Sequence, residues 1–247
     1  MNSSLAMEIY ASLGAAAAVG LAAGGYAYAS LYPASQIFGK ALIAPRQAGE
    51  IALTFDDGPN TAWTPRLLNL LAEHNVKATF FMLGSRAEGA PELVRRVAAE
   101  GHLIGNHSWS HPNLARSSAA RVREELMRTN AVVEQITGER VRYFRPPFGA
   151  RRPVVFSIAR QLGLTPVLWN AMTSDWSEKD AEKIAWALAK KIDGLKNGGC
   201  AANVVMHDGG HLVQGADRGP SIKAAEILMR KYKDSLKFVR VDAWREA

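Results

Sequence analysis

The sequence contains a single cysteine, Cys200, among 247 residues, so no disulfide can form within the chain. Beside Gly198 and Gly199, and without partner ligands, it reads as an inert thiol. Basic runs and aromatic-basic motifs are also missing, which argues against a nucleic-acid partner despite a formal charge of +7. That charge instead fits an anionic surface. No internal repeat is present, which excludes a solenoid. The length suits one barrel or doubly wound domain with a full core.

Charge is absent from Ile9 to Leu31, a stretch rich in Ala, Gly, Leu and Val. A helix of about 23 residues crosses the hydrocarbon layer, so residues 1–32 are expected to be a membrane anchor or a signal peptide. Ala27-Tyr28-Ala29 resembles a processing site, whereas the basic n-region of a signal peptide is lacking. Lys40 and Arg46 bias the following domain toward the cytoplasm. The orientation stays open. Residues 33–49 read as a linker.

From residue 50 onward the chain alternates. Strand-like runs at Ile51 to Phe55, Ala78 to Leu83, His102 to Gly105, Val141 to Phe144, Thr165 to Trp169, Asn203 to Met206 and Lys237 to Val241 are separated by helical patterns. Proline opens several helices, glycine follows their ends, and Ser177-Glu178-Lys179-Asp180 resembles a capping box. Strands alternating with helices predict an α/β fold with a parallel sheet, and about seven repeats suggest a closed or nearly closed barrel.

Polar residues fall at the ends of these strands. Asp56 and Asp57 follow the first, His107 and His111 the third, Arg145 the fourth, Asp175 the fifth and His207 the sixth. In a parallel barrel these ends open on one face, so the residues converge on one cleft. Adjacent carboxylates resist ionising together unless a cation compensates them. The pair His107 and His111, placed on one side of a helical turn, supplies two imidazoles. Two His and one carboxylate are the ligand set of a catalytic site with an open position. A divalent cation there lowers the pKa of a bound water toward neutrality.

Thr54 to Pro59, His107 to His111, Arg145-Pro146-Pro147-Phe148-Gly149, Asp175-Trp176 and Val205-Met206-His207 resemble, in order and spacing, the motifs of the polysaccharide deacetylase family. The resemblance covers residues 50–247, the catalytic domain it implies, with a distorted (β/α) barrel fold. It implies Asp57, His107 and His111 as metal ligands, most simply for Zn2+, with Co2+, Ni2+ or Fe2+ also suited. Asp56 is then the general base, oriented and kept ionised by Arg145, and His207 the general acid. The N–H of Phe148 joins in stabilising the oxyanion, and Val205 and Trp176 wall the acetyl pocket. Many relatives carry a carboxylate where this chain has Met172, so either Asp175 or another group supports His207, or the pKa of His207 is lower.

The implied reaction is hydrolytic removal of N-acetyl groups from amino sugars in a cell-envelope or other polysaccharide, releasing acetate, which implies a membrane-anchored or secreted protein with its catalytic domain outside the cytoplasm. The alternatives are the same chemistry on another C–N bond, such as a formamide or ureide, and a non-catalytic glycan binder. The implied partners are an N-acetylated glycan and, through the first helix, a membrane, with no protein partner. His211 in the glycine-rich loop reads as a solvated residue, His74 and His102 as helix-end and strand-edge residues, and Asp208 as a loop cap. Trp176, and less so Trp109, are the indoles expected to meet substrate.

Overall fold

The computed structural model describes residues 3–244, and side chains from residue 13 onward except that of Ala15. Helix α1 (Ser3–Leu31) leads into β1 (Glu50–Asp56), α2 (Thr64–Glu73), β2 (Thr79–Met82), α3 (Gly84–Gly89), α4 (Pro91–Ala99) and β3 (Leu103–Asn106). Then come α5 (Ala119–Thr137), β4 (Tyr143–Phe144), α6 (Pro153–Gln161), β5 (Thr165–Pro166) and β6 (Ala171–Met172). The chain continues through α7 (Ala181–Asn197), β7 (Ala202–His207), α8 (Gly219–Tyr232) and β8 (Lys237–Phe238).

All pairings are parallel, in the order β5-β4-β3-β2-β1-β7-β6, with β8 beside β1. The sheet curls into a half-barrel whose end strands β5 and β6 do not pair, rather than the closed or nearly closed barrel expected. Both end strands are two residues long, too short for a continuous seam. The gap is spanned by the stretch expected as a linker. Leu42 bridges to Val167, and Asn203 Nδ2 donates to the carbonyls of Ile43 and Leu168. Residues 42–45 therefore lie along the domain.

Helices cover the convex face through apolar stripes at helical spacing. Leu67, Leu68 and Leu71 of α2, Val94 and Val97 of α4, Val122 and Leu126 of α5, and Ile184, Leu188 and Ile192 of α7 are buried against the strands. Each such side chain contributes roughly 1.5–3 kcal/mol of burial. Gly138 ends α5 in a left-handed conformation at φ 72, which a side chain would strain. Two elements escaped the sequence reading: α3 is six residues long and β6 two, below the length at which periodicity shows. The capping box is also corrected, because Asp180 caps α7 by accepting from the N–H groups of Glu182 and Lys183.

The N-terminal helix forms, but the membrane span expected of it is not carried by the structure. Among the described residues no helix is long and apolar enough to cross a membrane. More than half of the stretch from Ile9 to Leu31 is Ala and Gly, with little transfer free energy per residue; its first residues, Ile9 to Ser12, lie outside the described side chains. The other end of α1 docks on the domain. Ala29 and Ser30 are buried, and the fully buried Arg151 donates to the carbonyls of Ser30, Tyr32, Ser35 and Gly149 at 2.7–3.2 Å. Burial without a carboxylate lowers the pKa of this guanidinium.

Candidate metal centre and catalytic cleft

Strand β1 ends by turning its two carboxylates into a cleft of about 540 Å3 at the C-terminal edge of the sheet. Asp56 still pairs in register, opposite Phe81 of β2 and His207 of β7. The two groups expected to move protons are thus direct neighbours across two strands. Asp57 leaves the strand in the left-handed region at φ 68, a sparsely populated conformation for a side-chain-bearing residue. Its turn is packed against Gly209, where an added Cβ would lie 2.0 Å from the Asp57 carbonyl oxygen.

The second turn follows β3. It is not the helical turn expected, because Ser108 and His111 both have positive φ, 70 and 59. What holds it is Glu125 of α5, whose side chain is 2 % exposed. Its carboxylate accepts from the N–H groups of Trp109 and Ser110, each at 2.8 Å, and from the Ser110 hydroxyl at 2.7 Å. Asn106 Oδ1 accepts from Ser108 N–H at 2.7 Å. Both imidazoles are thereby aimed at Asp57: His111 Nε2 lies 3.2 Å and His107 Nε2 3.5 Å from Asp57 Oδ1.

This donor set fits a metal ion. The ligand atoms of Asp57, His107 and His111 all lie within 4.8 Å of one another. Asp57 Oδ1 is buried and has no hydrogen-bond partner among the described residues, a costly condition without a cation. His107 Nδ1 donates to the Arg145 carbonyl at 2.8 Å, leaving Nε2 as the lone-pair nitrogen that a cation needs. Although burial by itself raises the pKa of Asp57, the His211 hydrogen bond and the charges of His107, His207 and His111 outweigh it and hold the carboxyl well below the usual range. Burial and the neighbouring His107 push the imidazole of His111 down to about 3, against the pull of Asp57.

Arg145 is wholly buried, and its Nη1 donates to Asp56 Oδ1 at 2.8 Å and to Thr54 Oγ1 at 2.7 Å. Its guanidinium lies over the Phe81 ring, 4.1 Å from the centroid. Burial lowers its pKa and Asp56 opposes that shift. Across the cleft, Asp175 grips His207 twice, accepting from its N–H at 2.8 Å and from Nδ1 at 2.9 Å, while Ser221 donates to the same carboxylate at 2.6 Å. Burial lowers the pKa of His207, yet the charge and hydrogen bond of Asp175 overcome it, with help from Asp57 and Asp56, and raise the imidazole to about 9. Asp175 thus places against His207 a carboxylate of the kind that Met172 does not supply.

Phe148 sits at the tip of a short 3-10 turn (Pro147–Gly149) with φ 59, its ring edge-on to His111 at 4.5 Å. Val205, Met172, Trp169 and Trp176 line the same cleft. Trp109 does not; its ring packs under Arg128, 3.5 Å from the ring centroid. His102 is a buried structural residue whose Nδ1 accepts from Ala78 N–H, and burial lowers it to about 4. Asp208 is buried behind the site, bonded to Thr64, and burial raises it to about 7.

The model of the family described as "Polysaccharide deacetylase" matches residues 44–167. The chain belongs to the polysaccharide deacetylase family. A peptidoglycan-N-acetylglucosamine deacetylase of Bacillus cereus is 41% identical over 144 residues, 58% of this chain and 52% of that protein. This family member thus spans about half the length of that relative. A chitooligosaccharide deacetylase of Rhizobium leguminosarum bv. trifolii is 41% identical over 64% of this chain and 71% of its own. Among solved structures, a peptidoglycan N-acetylglucosamine deacetylase superposes with a TM-score of 0.71 at 33% identity, covering 82% of this chain and 91% of that one. A family pseudoenzyme from Bacillus anthracis also superposes, with a TM-score of 0.72 at 26% identity, covering 81% and 66%.

Two residues that this deacetylase fold brings to the site were missed. Glu125 lies within α5, belongs to none of the motifs singled out in the sequence, and reaches the His turn only through a tertiary contact. His211, expected to be solvated, lines the cleft and lies 3.4 Å from Asp57. Its signal was the same four-residue spacing from His207 that marks His107 and His111.

Proposed function

We propose that the protein removes N-acetyl groups from N-acetylglucosamine-type units of a glycan, releasing acetate, outside the cytoplasm where such polymers lie. The observation that carries this reading is the placement of Asp56 and His207 as register neighbours beside the Asp57, His107 and His111 ligand set, in one cleft. Those three residues would hold a divalent cation, Zn2+ being the simplest match to two imidazoles and a carboxylate. When bound, it would supply Lewis-acid polarisation of the amide carbonyl and acidify water.

The chain's own groups supply the rest. Asp56, fixed through Oδ1 by Arg145, accepts the proton of the attacking water. The Phe148 N–H donates to the oxygen that becomes anionic as the carbonyl turns tetrahedral. His207, raised to about 9, carries a proton at neutral pH. Asp175 occupies its Nδ1, so Nε2 is the nitrogen that delivers this proton to the departing amine. Trp176, Trp169 and Val205 give the acetyl methyl an apolar wall.

The test is acetate release from N-acetylglucosamine oligomers, with small formamides and ureides in parallel and Asp56→Asn as the control. Turnover of the oligomers, lost in the variant, is the expected result. Turnover of the small amides alone would move the activity to another C–N bond. Tight glycan binding without turnover would place the chain with the pseudoenzyme whose fold it shares.

A further inference from the structure

The loop after His207 carries a second histidine that the proposed chemistry does not use. His211 Nδ1 faces Asp57 Oδ2 at 3.4 Å, while Oδ1 of the same carboxylate faces His107 and His111. Its ring stacks on that of His111, with centroids 4.1 Å apart and planes 20° apart, and meets Phe148 edge-on at 5.5 Å. The side chain is 30% exposed, so it is neither core packing nor free in solvent.

The loop is built to keep it there. Arg218 Nε donates to the Gly209 carbonyl at 2.5 Å, Arg86 Nη2 reaches the Gly210 carbonyl at 3.4 Å, and the Gly209 N–H donates to the Asp56 carbonyl at 3.3 Å. The absence of a side chain at Gly209 lets this backbone press on Asp57. His211 is not itself part of the ligand set, whose atoms gather within 4.8 Å without it.

The geometry points to His211 as a positioning residue for the metal centre: its Nδ1–H holds the outer oxygen of the Asp57 carboxylate, so that the inner oxygen alone is presented to the cation. A carboxylate ligand whose second oxygen lacks a donor swings and binds less tightly, and partners of this kind are worth about 10- to 100-fold in metal affinity. This inference rests on the metal-dependent reading of the site.

Zinc affinity of the full chain, measured by competition with a chromogenic chelator, tests it with two variants. His211→Phe keeps the stack on His111 and removes the donor. His211→Asn places a side-chain N–H near the position of Nδ1. Affinity should fall about 10- to 100-fold in the Phe variant and recover toward wild type in the Asn variant. The visible spectrum of the cobalt-loaded protein should change in the Phe variant and return in the Asn variant. Phe binding zinc as tightly as wild type, or Asn as weakly as Phe, overturns the inference alone. Wild-type protein that takes up no zinc overturns both it and the metal-dependent function beneath it.

Discussion

The two histidine turns of this protein share a spacing and differ in what they do. His107 and His111 follow β3, His207 and His211 end and follow β7, and both pairs are four residues apart. In the first turn, Glu125 of α5 ties down the backbone and both rings point at Asp57 Oδ1. In the second, Asp175 grips His207 while a glycine loop carries His211 over to Asp57 Oδ2. The brace, rather than the spacing, assigns each imidazole. A backbone-capping carboxylate leaves ring nitrogens free for a cation, whereas a carboxylate on the ring itself raises its proton affinity and makes an acid.

Breaking one turn at a time separates the roles. The largest effects come from the rings. His107→Ala should abolish zinc uptake, measured by metal content after dialysis, and activity with it. His207→Ala should leave zinc uptake intact while kcat for acetate release drops about 10²- to 10⁴-fold, the usual worth of a positioned acid. Equal loss of zinc in both variants would erase the distinction.

Next comes the brace of the second turn. His207 is active when protonated, so kcat should fall as pH rises through about 9. Asp175→Asn removes the main upward influence, and the alkaline limb of the pH profile should move toward the ordinary histidine value of 6.5. The same pair has a stability signature. A folded-state pKa above the unfolded one means the contribution is fully present below pH 6.5 and lost as pH rises through about 9. Urea unfolding across that window checks the sign.

The brace of the first turn should read out in stability. Glu125→Ala strips the acceptor from two backbone N–H groups and a hydroxyl beside the site. A cost of about 3 kcal/mol is expected from the unpaired donors, seen as a lower urea midpoint, with weaker zinc binding as its local consequence. The smallest change is Met172→Asp. Met172 lines the cleft next to Val205 in the β6–β7 pairing, so a carboxylate there should shift the alkaline limb upward. With Asp175 already in place, that shift should be smaller than the one Asp175→Asn causes; no shift at all would mean that position 172 does not sense the acid.

Much of this was legible in the sequence, for physical reasons that also explain the gaps. Strand ends in a parallel sheet open on one face, and of the residues expected there Asp56, Asp57, His107, His111 and His207 line one cleft, while Arg145 and Asp175 are buried behind it against Asp56 and His207. Their contacts were not legible. Ser108 and His111 take left-handed conformations that no periodicity announces, and a brace such as Glu125 acts through a tertiary contact. His211 was discounted because it sits among glycines, yet Gly209 is what lets the loop press close enough to deliver it. The first helix shows the same limit. Its apolar composition suggested a membrane span, while the tertiary bond from Arg151 to Ser30, Tyr32 and Ser35 docks its end onto the domain.

The division of labour between the turns has one direct test, anomalous scattering from crystals of the wild-type protein soaked in zinc. A peak about 2.0–2.2 Å from an Asp57 oxygen and from Nε2 of both His107 and His111 is the predicted result. A peak shared by His207 and His211, with none between Asp57 and the first pair, would contradict the account.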